Sequence, residues 1–330
     1  MPFRALRIIE TPAGKFERKI EELDLEDLPP GELLVKVYYS SLNYKDALSA
    51  TGNKGITKKF PHTPGIDAAG VVELSRNAKF AVNEEVIVTG HDLGMNTSGG
   101  FAEYIRVPAG WAIKKPLEIS FQEAMSFGTA GLTAAYALYK MMLMKQDPSM
   151  GPIVVTGSTG GVGSIAVAIL AKAGYEVIAV TGKKNAKEYL EFLGASRIEN
   201  REFADDISGK ALLKPKWAGA IDTVGGNTLH TLLKGCMKEG NVVSTGLVSS
   251  ARLNATVYPF VLNGINLLGI GSADTSIEMR EILWQKLLNE WSIKEKLNAI
   301  VKETTLEELN STYIDSIIDG KVMGRIVVKI

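Results

Sequence analysis

The chain has 330 residues, of which 45% are hydrophobic and 22% charged, and its 37 basic and 37 acidic residues give a formal net charge of zero. This length predicts about two domains, and the single cysteine excludes an intrachain disulfide and a multi-cysteine structural zinc site. The neutral balance argues against a general polyanion-binding protein, so we expect no nucleic-acid partner. We also expect no membrane partner and a cytoplasmic location, because no apolar run approaches the roughly 20 residues of a bilayer span and the N-terminus shows no secretory signal.

Short strand patterns separated by Gly- and Pro-containing turns fill residues 1–120. Strands are predicted at 33–39, 70–74, 85–89 and 99–107. Repeated short strands with such turns are typical of a small barrel-like β domain.

From residue 121 onward, strands alternate with helices. A helix rich in Ala, Leu and Met is predicted over 121–142, with a break at 128–131. The later strands are expected at 152–157, 176–181, 218–224, 241–247 and 266–270, and the helices at 162–173, 186–193 and 229–237. Continuous β-branched runs are typical of buried parallel strands. The alternation therefore predicts an α/β fold with a doubly wound parallel sheet.

Two helices at 278–289 and 306–318 and a strand at 325–330 are predicted at the end of the chain. A terminal strand needs a sheet to pair with, and the β-rich residues 1–120 provide the natural one. The predicted domains are therefore a discontinuous one, 1–120 plus 275–330, and a second one, 121–274.

A glycine-rich turn is the strongest chemical signal. Residues 156–164 have the sequence Thr-Gly-Ser-Thr-Gly-Gly-Val-Gly-Ser, in which the glycines form G-x-x-G-x-x-G rather than the commoner G-x-G-x-x-G. Glycine permits a tight turn and close approach of a diphosphate, and the free N–H groups of the following helix face the phosphates. The pattern predicts a dinucleotide site, with a turn that binds no ligand as the alternative. The expected contacts are Ser158, Thr159, Gly160, Gly161 and Val162.

The end of the next strand indicates which dinucleotide binds. An NAD site usually has an acidic residue here, which accepts hydrogen bonds from the ribose 2′-OH. This chain has Thr181, Gly182, Lys183 and a further lysine instead, which favours the 2′-phosphate of NADP. Arg197 is a candidate second cation. The alternative is that the lysines merely solvate a loop.

The order of these domains resembles the medium-chain dehydrogenase/reductase superfamily, and residues 65–72, Gly-Ile-Asp-Ala-Ala-Gly-Val-Val, are similar to its signature. The resemblance implies a GroES-like β-rich domain and a Rossmann NADP-binding domain. Metal-using members carry a cysteine in the segment that matches residues 41–46 and a His-Glu pair that matches Ile66–Asp67. This chain has neither, and its three histidines show no ligand spacing. Catalytic zinc requires about three protein ligands, so no metal is predicted. Cys236 is expected to pack in the core.

Within the zinc-free, quinone-oxidoreductase-like branch, the resemblance narrows. Residues 40–48, 60–61, 64–67, 217–225 and 324–330 are similar to the acrylyl-CoA reductase family, whose members were often first named quinone oxidoreductases. Lys183 stands where relatives often have arginine, which keeps the charge but weakens bidentate binding of a phosphate. The implied activity is NADPH-dependent hydride transfer to the C=C bond of an α,β-unsaturated acyl-CoA, such as acrylyl-CoA, without metal.

The resemblance also implies site residues. The oxygen that gains charge during such a reduction needs hydrogen-bond donors, and Tyr44 and Asn43 are the candidate catalytic donors. Tyr44 is further expected beside the nicotinamide, with packing at the domain boundary as the alternative. Asp46 either orients its neighbours or caps a helix.

Further contacts to the nicotinamide are expected from four residues in the second domain. Thr129 is expected near the nicotinamide carboxamide, unless it is only a helix-interior threonine. Leu247, Val261 and Ser272 are expected to flank the ring.

Lys54, Lys58 and Lys59 form a basic loop. The phosphates of CoA would suit such a loop, although solvated surface loops also carry such charges.

Two other functions remain open, an NADPH-dependent quinone or enone reductase and a non-catalytic NADPH-binding protein. For the two reductase functions, the partner is a small molecule, either an enoyl-CoA thioester or a quinone. A homodimer is expected, because relatives commonly pair through edge strands of the Rossmann sheet and residues 265–270 are an apolar candidate edge. These residues could instead form an internal strand.

Overall fold

The computed structural model describes residues 1–330, which form two compact units. The first unit contains Met1–Thr129, Ala273–Glu281 and Ile300–Ile330, and the second contains Ala130–Ser272 and Ile282–Ala299. Residues 282–299, which the sequence analysis assigned to the first domain, therefore lie in the second unit. Leu283, Trp284, Leu287 and Trp291 are buried there, and the Lys296 ammonium group donates to the Leu193 carbonyl at 2.9 Å.

The strands form three sheets. In the first unit, β1 pairs with β2, and a seven-stranded sheet has the order β14-β15-β3-β4-β5-β7, with β6 beside β3. The second unit has one sheet, in the order β10-β9-β8-β11-β12-β13. The strands are β1 (Pro2–Glu10), β2 (Phe16–Asp24), β3 (Leu33–Leu42), β4 (Asp67–Ser75), β5 (Glu85–Thr89), β6 (Tyr104–Val107), β7 (Ala112–Lys114), β8 (Ile153–Thr156), β9 (Val177–Val180), β10 (Arg197–Glu199), β11 (Trp217–Asp222), β12 (Cys236–Ser244), β13 (Asn266–Gly269), β14 (Val301–Thr305) and β15 (Arg325–Lys329).

Ten α-helices accompany the sheets, and none of the helices is both long and apolar enough to cross a membrane. They are α1 (Tyr44–Ala50), α2 (Phe121–Leu143), α3 (Gly161–Lys172), α4 (Lys187–Leu193), α5 (Gly226–Gly235), α6 (Tyr258–Asn263), α7 (Ile277–Leu288), α8 (Leu297–Ile300), α9 (Leu306–Glu308) and α10 (Ile314–Ile318).

The C-terminal strand β15 returns to the sheet of the first unit, as the sequence predicts. It pairs antiparallel with β3, where Ile326 lies opposite Leu42, and parallel with β14 on its other side. The alternating apolar residues of β3, such as Leu33, Val35 and Val37, face a core in which all three are at most 3% exposed.

All six strands of the second unit are parallel. The chain passes from β8 outward to β9 and β10, then returns to β11 on the other side of β8. Short apolar strands such as Ile153–Thr156 are fully buried, which explains their continuous β-branched sequences. The predicted doubly wound sheet is confirmed. Ligands of such sheets bind at the carboxyl ends of the strands where the order reverses, here β8 and β11.

Candidate functional site

Asp67 of the first unit is a fully buried carboxylate that accepts hydrogen bonds from three elements. Its Oδ2 accepts from the Ser41 hydroxyl at 2.6 Å and from the Asn43 amide at 2.8 Å. The Thr129 backbone N–H lies 3.0 Å from both oxygens, and the Thr129 hydroxyl donates to Oδ1 at 2.6 Å. One carboxylate therefore organises the end of β3, the start of α1 and the middle of α2.

The positive charge nearest to Asp67 in this network is the guanidinium of Arg325, which is buried on β15. Arg325 Nη2 is 3.7 Å from Asp67 Oδ2, and it donates to the Ser41 hydroxyl at 2.7 Å, so that this hydroxyl bridges the ion pair. Other guanidinium N–H groups donate to the Asn43 side-chain oxygen at 3.0 Å and to backbone carbonyls. A buried ion pair needs such additional hydrogen bonds to offset desolvation, and this one has them.

The kink in α2 is explained by Asp67. Gly128 has φ 49° and ψ −150°, a conformation that residues with a Cβ rarely adopt, and a Cβ here would lie 2.5 Å from Asp67 Oδ2. Directly after the break, the backbone N–H of Thr129 donates to Asp67. The predicted break at 128–131 is thus real, and it directs both donors of Thr129 to one carboxylate.

Asn43 and Tyr44, the predicted catalytic donors, stand at the N-terminus of α1. The Asn43 amide nitrogen donates to Asp67 and also lies 3.3 Å from the Ser41 carbonyl and from Asp46. Its donors are thus occupied within the protein, so the Asn43 side chain holds the network together. Tyr44 is half-buried, and its hydroxyl makes no hydrogen bond within the protein. Of the two, Tyr44 is therefore the one with a donor available to a ligand.

Asp46 both caps a helix and orients its neighbours. Its Oδ2 accepts the backbone N–H of Asn43 at 2.8 Å, and its Oδ1 accepts the N–H groups of Gly65 and Ile66 at 3.2 and 2.8 Å. Burial, with a smaller contribution from the Asp67 charge, raises the pKa of Asp46 to about 7. The Asp46 carboxyl group, with a pKa of about 7, therefore lies beside the Asp67 network.

In the second unit, the glycine-rich turn joins β8 to α3. Gly157 has φ 57°, Gly160 is the N-cap of α3, and Gly161 and Val162 are its first residues. A Cβ on Gly163 would lie 2.8 Å from the Gly157 carbonyl carbon, so α3 approaches the turn closely only with glycine there. The first N–H groups of a helix have no intrahelical acceptor, and they favour a phosphate. The turn therefore fits the diphosphate of a dinucleotide.

Ser158 and Thr159 connect this turn to β9. The Ser158 hydroxyl is buried and donates to the Val180 carbonyl at 3.0 Å. Thr159 Oγ1 lies 3.3 Å from Thr181 Oγ1 and accepts from Lys183 Nζ at 3.4 Å. Thr159, Thr181 and Lys183 are thus brought together, as the prediction of a shared cofactor site requires.

A residue that the sequence analysis did not single out, Asp222, supports the turn from β11. Its Oδ1 accepts from the Thr156 hydroxyl at 2.6 Å, and its Oδ2 accepts from the Gly225 N–H at 2.7 Å. The Thr223 hydroxyl donates to the Thr156 carbonyl at 3.0 Å. Burial raises the pKa of Asp222. These bonds join the loops that follow β8 and β11.

Lys183 lies beside Arg201, a second residue that the sequence analysis missed. Burial and, to a smaller extent, the charge of Arg201 lower the pKa of Lys183. A Cβ on Gly182 would lie 2.7 Å from the Arg201 guanidinium carbon. The predicted second cation, Arg197, pairs with Glu199 at 2.5 Å. The structure therefore brings Arg201 to the end of β9, whereas Arg197 has an acidic partner on its own strand.

The remaining predicted contacts are spread over the second unit. Leu247 lines a cavity of about 300 Å³ together with Gly225, Thr245 and Arg252. Val261 is 73% exposed on α6. The Ser272 hydroxyl lies 2.7 Å from the hydroxyl of Thr133. Of the three residues, only Leu247 lines this cavity.

The three lysines of the basic loop in the first unit differ in their contacts. Lys54 pairs with Glu10 and lies over the rings of Phe16 and Phe60. Lys58 and Lys59 are exposed. Any anion at this loop would therefore meet Lys58 and Lys59 first.

Two protein families match this chain. Residues 29–117 match the alcohol dehydrogenase GroES-like domain, and residues 161–289 match the family described as zinc-binding dehydrogenase. The acrylyl-CoA reductase AcuI of Ruegeria pomeroyi is 40% identical over 319 residues, which cover 96% of this chain and 96% of AcuI. The chain belongs to the medium-chain dehydrogenase/reductase superfamily. As a superfamily member it is an oxidoreductase, with a GroES-like and a Rossmann domain as predicted.

Other superfamily members are equally similar. YhfP of Bacillus subtilis, which carries a quinone-oxidoreductase name, is 40% identical over 328 residues, 99% of each protein. The crystal structure of the yhdH oxidoreductase of Salmonella enterica in complex with NADP has a TM-score of 0.96 and 39% identity, and the match covers 99% of each chain. The structure of B. subtilis yhfP with NAD bound has a TM-score of 0.96 and 40% identity, and covers all of both chains.

The residues of this superfamily member do not fit a zinc site, although one matching family is described as zinc-binding. The matching segment 41–46 contains no cysteine, the matching pair is Ile66–Asp67, and Asp67 accepts hydrogen bonds and pairs with Arg325. No group of three or more His, Cys, Asp or Glu side chains that could hold a metal is present. Cys236 is fully buried, and burial raises its pKa to about 12, so it offers no thiolate.

Proposed function

We propose that this chain reduces the C=C bond of an α,β-unsaturated acyl-CoA, such as acrylyl-CoA, with NADPH as the hydride donor and without a metal. The observation that carries the proposal is the anion site where the start of α3 meets Thr181, Lys183 and Arg201. Relatives named acrylyl-CoA reductase, 40% and 41% identical over nearly the whole chain, supply the substrate class.

The preference for NADPH over NADH is inferred from the charges at the end of β9. The end of β9 bears a threonine and two neighbouring cations instead of the carboxylate that binds the ribose hydroxyl of NAD. A 2′-phosphate dianion offsets the repulsion between Lys183 and Arg201, whereas a 2′-hydroxyl does not. Relatives have been crystallised with NADP, with NADPH and with NAD. For this chain we therefore propose NADPH as the preferred cofactor.

When bound, NADPH supplies the hydride that adds to the β carbon of the substrate, and the α carbon is then protonated. The Tyr44 hydroxyl, which has no partner within the protein, is the donor proposed for the substrate carbonyl oxygen or for the cofactor. Thr129 is proposed to contact the nicotinamide carboxamide. Asn43 positions the start of α1, because its amide is occupied by Asp67.

The acyl-CoA substrate is tested by comparing acceptors. NADPH oxidation would be followed with acrylyl-CoA, with its truncated thioester S-acryloyl-N-acetylcysteamine, and with 1,4-benzoquinone. The proposal predicts the highest kcat/KM for acrylyl-CoA. A higher value for benzoquinone would establish the quinone reductase instead, the function that the name of YhfP suggests. Binding of NADPH without oxidation by any acceptor would establish a non-catalytic protein.

The basic loop adds a matched pair of measurements. We propose that Lys58 and Lys59, which are exposed, contact the phosphates of CoA. Replacing both with glutamate should raise KM for acrylyl-CoA by roughly tenfold or more and leave KM for the truncated thioester unchanged. Equal changes of KM for both substrates would show that these lysines do not contact CoA.

The Rossmann unit offers a surface for the expected homodimer. The strand β13 is at the edge of the sheet and pairs only with β12. Leu267 on this strand is 37% exposed, and nearby in the sequence Tyr258, Val261 and Leu262 on α6 are 50–73% exposed. An unpaired, apolar strand edge favours pairing with a second copy. We propose this edge as the dimer contact.

A further inference from the structure

Arg325 and Thr129 lie almost 200 residues apart, yet both interact with the same carboxylate. Arg325 reaches Asp67 through the Ser41 hydroxyl, with Nη2 3.7 Å from Oδ2. Thr129 donates both its backbone N–H and its hydroxyl to Asp67. The position of Thr129 is therefore fixed by a carboxylate whose charge Arg325 offsets.

The guanidinium also holds the start of α1. Arg325 Nη1 donates to the Asn43 side-chain oxygen at 3.0 Å and to the Leu42 carbonyl at 3.1 Å. Asn43 is the residue before Tyr44, and its amide donates in turn to Asp67. A single side chain near the C-terminus thus anchors the two short segments that carry Tyr44 and Thr129.

We propose that Arg325 is a positioning residue for hydride transfer, which acts through Asp67 on Thr129 and through Asn43 on Tyr44. The inference rests on the proposed function, in which Thr129 and Tyr44 contact the nicotinamide or the substrate. Small displacements of such groups lower the rate of the chemical step strongly. A stabilising side chain without this role would leave the rate of the folded enzyme unchanged.

The first test is kinetic. Arg325→Met removes the charge and the donors but keeps an extended apolar side chain. We expect kcat with acrylyl-CoA to fall roughly tenfold or more, while the affinity for NADPH changes less than threefold, because the anion site lies on other elements. Arg325→Lys keeps the charge and should recover part of the activity. Arg18→Met, which removes a half-buried arginine paired with Asp315, is the matched control and should keep kcat.

The second test separates positioning from general stabilisation. Thr129→Val removes the hydroxyl bond to Asp67 and keeps the shape of the side chain. Because both substitutions act on the same contact, the combined variant should lose less activity than the product of the two single losses. Losses that multiply in the double variant would overturn the proposal, as would a folded Arg325→Met enzyme with unchanged kcat.

The third test needs no turnover. Hydrogen exchange of the Thr129 backbone amide, measured by NMR without cofactor, should accelerate roughly tenfold in Arg325→Met, less in Arg325→Lys, and not in Arg18→Met. Unchanged exchange would overturn the proposal even if the enzyme is active. If none of the acceptors supports NADPH oxidation by the wild-type enzyme, the proposed function fails. The exchange rate of the Thr129 amide still decides whether Arg325 holds Thr129 in place. Should Arg325→Met not fold, Arg325→Lys and Thr129→Val are compared in the same way.

Discussion

Lys183 and Arg201 stand side by side after β9 and β10, and the charge of Arg201 contributes to the lowered pKa of Lys183. Two adjacent cations repel each other unless an anion lies between or beside them. We propose that the 2′-phosphate of NADPH provides that anion, whereas the uncharged 2′-hydroxyl of NADH does not offset the repulsion.

Reversal or removal of these charges should therefore separate the two cofactors. Charge-assisted hydrogen bonds contribute about 1.5–3 kcal/mol, so Lys183→Glu and Arg201→Gln should each weaken NADPH binding by at least roughly tenfold. NADH binding should change less than threefold. Dissociation constants from the fluorescence of the reduced nicotinamide would measure both, and Lys172→Glu at the other end of α3 is the control. Equal losses for the two cofactors would show that neither residue contacts the 2′-phosphate.

The close approach of α3 to the glycine turn gives a contrasting prediction. Gly163→Ala places a Cβ against the backbone of Gly157, so α3 must shift and its N–H groups move away from the diphosphate. We expect NADPH and NADH affinity to fall together, and overpacking of this kind destabilises by about 1–3 kcal/mol. Gly110→Ala, where a Cβ meets nothing within 4 Å, is the control. Loss of affinity for one cofactor alone would contradict this explanation.

The pH dependence of stability should report Asp46. Its pKa is raised from 3.8 to about 7 by burial and by Asp67, so the native state binds the proton more tightly than the unfolded state. The contribution to stability is present below pH 4 and is lost as the pH rises toward 7, with a slope of up to about 1.4 kcal/mol per pH unit.

Asp46→Asn should remove that slope. Urea unfolding at several pH values between 4 and 8 would show a smaller decline of the free energy of unfolding in this variant than in wild type. Asp315→Asn, at a carboxylate whose pKa is lowered by hydrogen bonds from Arg18, should keep the decline. An unchanged slope in Asp46→Asn would assign the dependence to other groups.

Tyr44→Phe removes a hydroxyl that has no partner within the protein, so stability should hardly change. If the hydroxyl donates to the reacting oxygen, kcat with acrylyl-CoA should fall by roughly a hundredfold. Tyr38→Phe, at an exposed tyrosine stacked on Phe121, is the matched substitution and should keep full activity. Full activity of Tyr44→Phe would leave Tyr44 with a packing role.

The dimer is tested at the edge strand. Leu267→Glu places a charge on β13, where it opposes pairing of two strand edges. We expect light scattering to show a homodimer for wild type and a monomer for the variant. Leu74→Glu, at a similarly exposed leucine of β4, should remain dimeric. A monomeric wild type would disprove the dimer itself.

The Rossmann unit follows from the sequence because its signals are local. Buried parallel strands such as Ile153–Thr156 have continuous β-branched sequences, and the glycine turn lies directly between such a strand and α3. The strands β1 and β2 were not predicted. Phe16–Asp24 mostly alternates exposed and half-buried residues and has no continuous apolar run, so its sequence does not predict a strand, and its pairing with β1 stabilises it as one.

In the candidate site, even more depends on tertiary contacts that the local sequence does not show. Arg197 and Arg201 are both basic residues after α4, and only the path of the chain after β10 decides that Arg201 reaches Lys183. The amide group of Asn43 predicts a donor to the substrate, but in the structure this amide donates to Asp67, which lies 24 residues away in sequence. The sequence predicts Arg325 only as part of a terminal strand. A charged residue at the start of an apolar run was the available signal, but its partner is set by tertiary structure.

The position of β15 between β14 and β3 has a consequence for biosynthesis. During translation, residues 1–129 leave the ribosome long before residues 325–329, so the sheet of the first unit lacks the inner strand β15 until those later residues have been synthesised. Over the same period Asp67 has no guanidinium beside it. The Rossmann strands, by contrast, are contiguous in the chain and emerge earlier. We expect the Rossmann unit to fold on the ribosome first, while maturation of the first unit waits for its last strand to dock.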